Sequence, residues 1–182
     1  DIVDSVDGIS VSIWVQGCPH RCKGCHNSFS WDYNGGINVP ENIKEIVLNK
    51  LHANGVNRNL SVLGGEPLCD ENKTFVKEII DFISERSPET KIILWTGYLL
   101  EDLMSRKDPI TDSILENVDY LIDGPFIEEL RDTVTLNLRG SSNQRIFLNK
   151  QVSDIQRLLL KKRYRFVDIT SEMDERLKTR FH

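Results

Sequence analysis

No apolar run in this chain of 182 residues approaches the length of about 20 that a membrane helix needs. Cationic residues are outnumbered, 23 Lys and Arg against 28 Asp and Glu, and the net charge of −5 gives no overall footprint for nucleic acid. No signal peptide, internal repeat or low-complexity segment is visible. Cysteine is scarce, at four residues, and three of them crowd into one short stretch. Three is odd and the spans between them are short, so they cannot form a disulfide framework. The length and an apolar share of 39% are ordinary for one soluble domain with its own core. The expectation is a cytoplasmic protein that binds neither membrane nor nucleic acid.

The crowded stretch is Gly17-Cys18-Pro19-His20-Arg21-Cys22-Lys23-Gly24-Cys25-His26-Asn27, with the spacing Cys-x3-Cys-x2-Cys. Clustered thiols without a secretory signal point to a reducing compartment, where they bind metal. A [4Fe-4S] cubane presents four irons and is normally held by four thiolates. Three local thiolates leave one iron open, and an open metal position marks a site built for chemistry. The alternative is a structural zinc knot completed by His20, His26 or Cys69, which would make the chain a zinc-binding interaction module. Against it, structural zinc sites usually come as two paired knuckles, and only one group is present.

The rest of the chain reads as strands alternating with helices. Residues 9–16 alternate and are rich in β-branched side chains, which predicts a strand ended by Gly17. The aromatic loop 28–39 either walls the thiols from water or packs on the core. Pro40 predicts the first turn of a helix with Ile43, Ile46, Val47 and Leu51 inward and Gly55 as its C-cap. Further strands are expected at 59–63, 91–95 and 118–122. Helices are expected at 71–87 (Phe75, Ile79, Phe82 and Ile83 inward, Pro88 as the stop), at 99–106, and from Thr111 as N-cap. Beyond residue 126 the expectations are strands at 133–138, 146–148 and 164–169, a polar loop at 139–145, a helix from a Ser153/Gln156 capping box to 162, and a charged helical tail at 171–182. This is the pattern of a parallel sheet built from βαβ units. Four units are too few for a closed eight-stranded barrel, so the expected fold is α/β, an open, partial parallel β/α barrel with its chemistry at the C-terminal ends of the strands.

Gly64-Gly65-Glu66-Pro67 follows the second of these strands. Two glycines let the backbone approach a ligand. Strand-end carbonyls and Glu66 would make a negative pocket suited to an ammonium group, although a tight turn into a helix accounts for the motif equally well when it stands alone. Paired with the thiol loop at the preceding strand end, it resembles the amino-group site for S-adenosylmethionine (SAM) in the radical SAM superfamily, whose hallmark is Cys-x3-Cys-x2-Cys. The likeness narrows further. Val15 to Asn27 with Trp31 and Gly35-Gly36, Leu63 to Leu68, Leu94 to Tyr98, Leu121 to Phe126 and Leu138 to Arg145 are similar, in order, to the activating proteins of anaerobic (class III) ribonucleotide reductases. These are glycyl-radical-activating enzymes.

The resemblance implies one radical SAM domain with its core at about residues 8–148, leaving 149–182 as a C-terminal extension without an assigned role. It implies a [4Fe-4S] cluster on Cys18, Cys22 and Cys25. It implies SAM bound through Gly64, Gly65 and Glu66 at the amino group, with Gly24, Cys25 and His26 toward the adenine. Thr96 and Asp123 are further candidates for the pocket. Arg139 and Arg145 either bind a carboxylate, line a partner surface or are simply solvated. The implied activity is reductive cleavage of SAM and removal of a hydrogen from a glycine Cα of the reductase large subunit. A flavodoxin-type one-electron donor would feed it, and no side chain acts as acid or base. Cys69 is one thiol too many and reads as a small buried apolar residue. Ser5-Val6-Asp7-Gly8 departs from the Asp-Gly-x-Gly common in glycyl-radical activases. A second enzyme reading is a small radical SAM enzyme acting on a small molecule, such as a deazapurine-forming ring contractase; that group usually has a longer insertion between its first two cluster cysteines than the three residues here.

Overall fold

The computed structural model describes residues 6, 8–132, 136–151 and 164–180. Its centre is a six-stranded sheet in which sequence order is also spatial order. The strands are β1 (Ser10–Val15), β2 (Asn59–Gly64), β3 (Ile92–Trp95), β4 (Tyr120–Asp123), β5 (Arg145–Gln151) and β6 (Tyr164–Asp168). The first four run parallel, as the alternating pattern predicts, with Val15 opposite Gly64 and Trp95 opposite Ile122. The last two turn back antiparallel, β5 on β4 and β6 on β5. The sheet is therefore mixed, and it is not closed.

Each parallel crossover carries helix, as parallel strands require. The helices are α1 (Ile43–Leu51), α2 (Lys73–Arg86), α3 (Leu100–Ser105) and α4 (Pro109–Asn117), and α5 (Thr170–Arg180) follows β6. Strand side chains alternate between faces. Val62, Leu94, Leu121 and Phe147 point to the side where α1 to α4 pack, joining Val47, Leu51, Ile79, Ile80, Ile83, Leu103 and Ile114 in the larger core. Burying each such side chain contributes about 1.5–3 kcal/mol. The alternate residues Ile93, Ile122 and Ile146 face the other way, where Val6 and Met173 of α5 cover them in a second, smaller core. The charged tail thus has a packing role: Met173 is fully buried against the sheet.

Several local expectations shift. Pro40 stands ahead of α1, its carbonyl accepting from Ile43 N, and Asn42 is the N-cap. Gly55 lies past the end of α1 in a separate turn. On α2 the deepest residues are Val76, Ile79, Ile80 and Ile83, with Phe75 and Phe82 only partly covered. For α4 the cap is Asp108, whose carboxylate accepts from Ile110 N, with Pro109 in the first turn. Thr111 is instead inside the helix and donates to Asp108 Oδ2. Residues 136–138 are not strand, while 133–135 and the helix expected from Ser153 to 162 fall outside the described residues. Among the described residues no helix is long and apolar enough to cross a membrane.

Candidate cluster and cofactor site

The chain leaves β1 through Gln16 and Gly17. The Gln16 amide donates to Phe29 O at 3.2 Å and Asp32 O at 2.7 Å. Gly17 N donates to Ser30 O and Cys18 N to Trp31 O, which ties both ends of the thiol loop together. Gly17 has φ +97°, and a Cβ there would sit 2.1 Å from the Tyr33 ring. Arg21 at φ +47° and Gly24 at φ +72° bend the loop, and Cys25 N closes a turn onto Cys22 O. Burial pushes the Cys18 and Cys22 thiols up, against an opposing pull from the backbone amides of His20 and Arg21 at Cys18 and of Phe126 at Cys22. Metal binding must therefore supply the drive to deprotonate them.

The end of β2 lies against this loop. Gly65 N donates to Val15 O, and Glu66 N donates to Gly17 O, each at 2.8 Å. Asn72, at the start of α2, donates from its side chain to Gly17 O and Glu66 O. Glu66 is only 1% exposed. Its Oε1 accepts from Leu68 N at 2.9 Å and Thr96 Oγ1 at 2.7 Å. Its Oε2 accepts from Gly97 N at 2.7 Å and faces His20 Nε2 at 3.0 Å.

Beyond the end of β4, the segment 138–144 covers the next side. Leu138 adopts φ +59°, and its carbonyl accepts from Trp95 Nε1 at 2.8 Å. Arg139 donates to Gln144 O at 2.9 Å and pairs with Asp174 of α5. The Gln144 side chain accepts from Gly140 N and donates to Gly124 O.

Together these elements enclose a cavity of about 380 Å³. Cys18, Cys22, Cys25, His26, Gly64, Gly65, Glu66, Thr96 and Arg139 all line it. Gly24 does not; it faces Glu128, whose side chain stands 2.5 Å from where a Cβ would be. Asp123 and Arg145 are also off the cavity. Arg145 grips Asp123 through Nε at 2.9 Å and reaches Glu101 with two bonds, while Leu100 N donates to Asp123 as well. Cys69 is buried, as expected of an apolar-like thiol, and does not line the cavity. Sequence reasoning missed the apolar wall of Trp14, Trp95, Phe126 and Leu138. Three of those four stand at or just beyond strand ends, which was the available signal.

The donor set fits a cluster. A zinc knot needs four ligands at about 2.0–2.3 Å from one centre. A cubane takes each thiolate on a different corner, and three half-buried thiols around one cavity match that demand. Of the other ligands considered for zinc, Cys69 lies in the core and His20 on Glu66, while His26 lines the cavity with the three thiols.

Comparison with known proteins agrees. A family model described as a 4Fe-4S single cluster domain matches residues 6–147. The chain is similar to the anaerobic ribonucleoside-triphosphate reductase-activating protein of Vibrio cholerae serotype O1, 33% identical over 145 residues, covering 79% of this chain and 90% of the relative. The proteins of the same name from Escherichia coli K12 (33% identical, 79% and 90% covered) and from Enterobacteria phage T4 (35% identical, 78% and 85% covered) are similar to it too. No solved structure matches the chain. The chain belongs to the family of anaerobic ribonucleoside-triphosphate reductase-activating proteins, with their single-cluster 4Fe-4S domain.

Proposed function

We propose that this protein is a radical SAM activase of the anaerobic ribonucleoside-triphosphate reductase, built as a single domain on an open, partial β/α barrel and working in the cytoplasm. Cys18, Cys22 and Cys25 would hold three irons of a [4Fe-4S] cluster and leave the fourth for SAM. When bound and reduced by an external one-electron donor, the cluster would supply the electron that cleaves the C–S bond of SAM, the chemistry needed to remove a hydrogen from a glycine Cα of the reductase large subunit with methionine and 5′-deoxyadenosine as products.

The chain's own residues hold and shield. Gly64 and Gly65 present bare backbone to the cavity, with the buried charge of Glu66 behind it, which favours the SAM ammonium. His26 lies beside Cys25 at the cavity, where an adenine would be met. Trp14, Trp95, Phe126 and Leu138 keep water from a reactive centre. No proton transfer is asked of any side chain. The electron donor is expected to be flavodoxin-type.

The observation that supports this reading most is the meeting of the three thiols and the Gly64-Gly65-Glu66 turn on one cavity, in a chain whose relatives carry the activating-protein name. The test is to supply the reconstituted, reduced protein with SAM and its cognate reductase subunit. Methionine and 5′-deoxyadenosine should form, and a glycyl radical should appear on the subunit. Cleavage of SAM without a glycyl radical would favour a small-molecule substrate instead.

A further inference from the structure

We propose that His20 is a positioning residue: its hydrogen bond to Glu66 holds the Cys18–Cys22 span of the loop in place for the cluster, and this is the principal work of the Glu66 side chain. The inference rests on the reading that Cys18, Cys22 and Cys25 carry a cluster. It assigns Glu66 a different part from direct contact with the SAM amino group.

A carboxylate offers about four lone-pair positions. Those of Glu66 already face four donors: Leu68 N, Thr96 Oγ1, Gly97 N and His20 Nε2. The His20 contact joins Nε2 to Glu66 Oε2 at 3.0 Å. Three of the four donors come from the turns after β2 and β3, which fix the carboxylate itself. The fourth comes from the thiol loop. With both oxygens engaged and the side chain 1% exposed, no lone pair is left free for direct contact with an incoming ammonium, which feels the carboxylate only from behind the glycine backbone.

From the loop's side the same contact stands out. Gly17 and Cys18 are anchored by backbone bonds to Ser30 and Trp31, and Cys25 N bonds back to Cys22 O within the loop itself. Lys23 reaches Glu128, but it is 82% exposed, and such pairs contribute little. His20 is 18% exposed, and its partner is fully buried. Its ring also meets Tyr98 edge-on with centroids 4.5 Å apart, and Arg106 covers the Tyr98 ring at 3.8 Å. Gly97 makes room for it: a Cβ there would stand 2.5 Å from the imidazole. The imidazole is thus seated between the turns after β2 and β3, midway between the first two cysteines. A part-buried hydrogen bond to a carboxylate at that point holds the span between Cys18 and Cys22 against the turns after β2 and β3.

The test measures iron retention and SAM affinity separately. Wild type, His20→Leu, His20→Gln, Glu66→Gln and the His20→Leu/Glu66→Gln double variant are reconstituted anaerobically. Iron and sulfide per chain are counted, release of iron to a chelator is timed, and SAM dissociation constants are measured on the loaded fraction. His20→Leu should lose iron about tenfold faster than wild type, as expected for a lost buried hydrogen bond to a charge. His20→Gln, which keeps a donor near the Nε2 position, should recover most of that loss. Glu66→Gln, which replaces one accepting oxygen by an amide NH2, should lose iron at least as fast as His20→Leu, and the double variant should be no worse than Glu66→Gln alone, because the His20 contact is already lost in it. Circular dichroism of the apo-proteins checks folding. If His20→Leu fails to fold, the comparison of His20→Gln with Glu66→Gln still decides.

Unchanged iron release in His20→Leu, or a Glu66→Gln protein that keeps its iron and loses only SAM affinity, would overturn the proposal. Wild-type protein that assembles no cluster would instead defeat the functional reading on which it rests.

Discussion

Gly65 passes so close to Gly17 that a Cβ on Gly65 would stand 2.2 Å from the Gly17 carbonyl oxygen. The obstacle is backbone, not a side chain that can swing aside. The same approach lets Glu66 N donate to Gly17 O and brings the strand end of β2 against the thiol loop. Gly65→Ala should push the two strand ends apart. It is expected to cost about 1–3 kcal/mol in urea unfolding, as overpacking does, and to lower the iron bound after reconstitution. A variant as stable as wild type and fully loaded would show that the approach is not required.

The cysteines divide into two kinds. Cys18→Ala, Cys22→Ala and Cys25→Ala should each abolish the cluster and SAM cleavage. Cys69 is 3% exposed and does not line the cavity, so Cys69→Ala should retain both. Iron and acid-labile sulfide analysis of the four proteins checks this. Loss of iron from the Cys69 variant would make that thiol a ligand.

Arg145 is a structural clamp. Its guanidinium is held protonated by Asp123 first and Glu101 second, and Asp123 is fully buried. Removing the cation leaves a buried carboxylate with Leu100 N but no countercharge. Arg145→Ala should destabilise the fold by about 3 kcal/mol. Protein that does fold should still bind SAM, since neither residue lines the cavity. Chemical denaturation with SAM titration separates the two effects.

Acid should loosen the join between α2 and α4. Burial works to raise the Asp108 pKa, but bonds from Lys73, Thr111 and Ile110 N outweigh it and bring the value to about 2. A depressed folded-state pKa contributes stability that is complete above the ordinary value of 3.8 and is lost as pH falls through about 2. Asp108→Asn, which removes the pairing with Lys73, should cost about 2 kcal/mol at neutral pH. That difference should shrink between pH 4 and pH 2 as the wild-type group protonates. Urea midpoints of both proteins across that range check the sign; a constant difference would contradict it.

The thiol loop and the Gly64-Gly65-Glu66 turn were legible because their chemistry is local: residue types, spacing and position just past a strand. The parallel strands were legible from alternation bounded by glycines. What tertiary contact decides was not. Three of the four donors to Glu66 are supplied by Thr96, Gly97 and His20, which lie 30, 31 and 46 residues away in sequence. For Arg145 the sequence leaves a carboxylate, a partner surface and solvent all open, and only the fold selects the first, bringing it to Asp123 across the β4–β5 pair. The antiparallel sense of β5 escapes periodicity, because Ile146 and Phe147 alternate between the two cores alike in either direction. Asp108 and Thr111 are both good caps in one turn, and Pro109, next to Asp108, was the residue that could have separated them.

The central claim is that three cysteines hold a cluster whose remaining iron takes SAM. Electron paramagnetic resonance of the anaerobically reconstituted, dithionite-reduced protein, with and without SAM, tests it most directly. A reduced [4Fe-4S] signal that changes when SAM is added is the expected result. Stoichiometric zinc with no cluster signal would contradict it, as would a cluster signal indifferent to SAM.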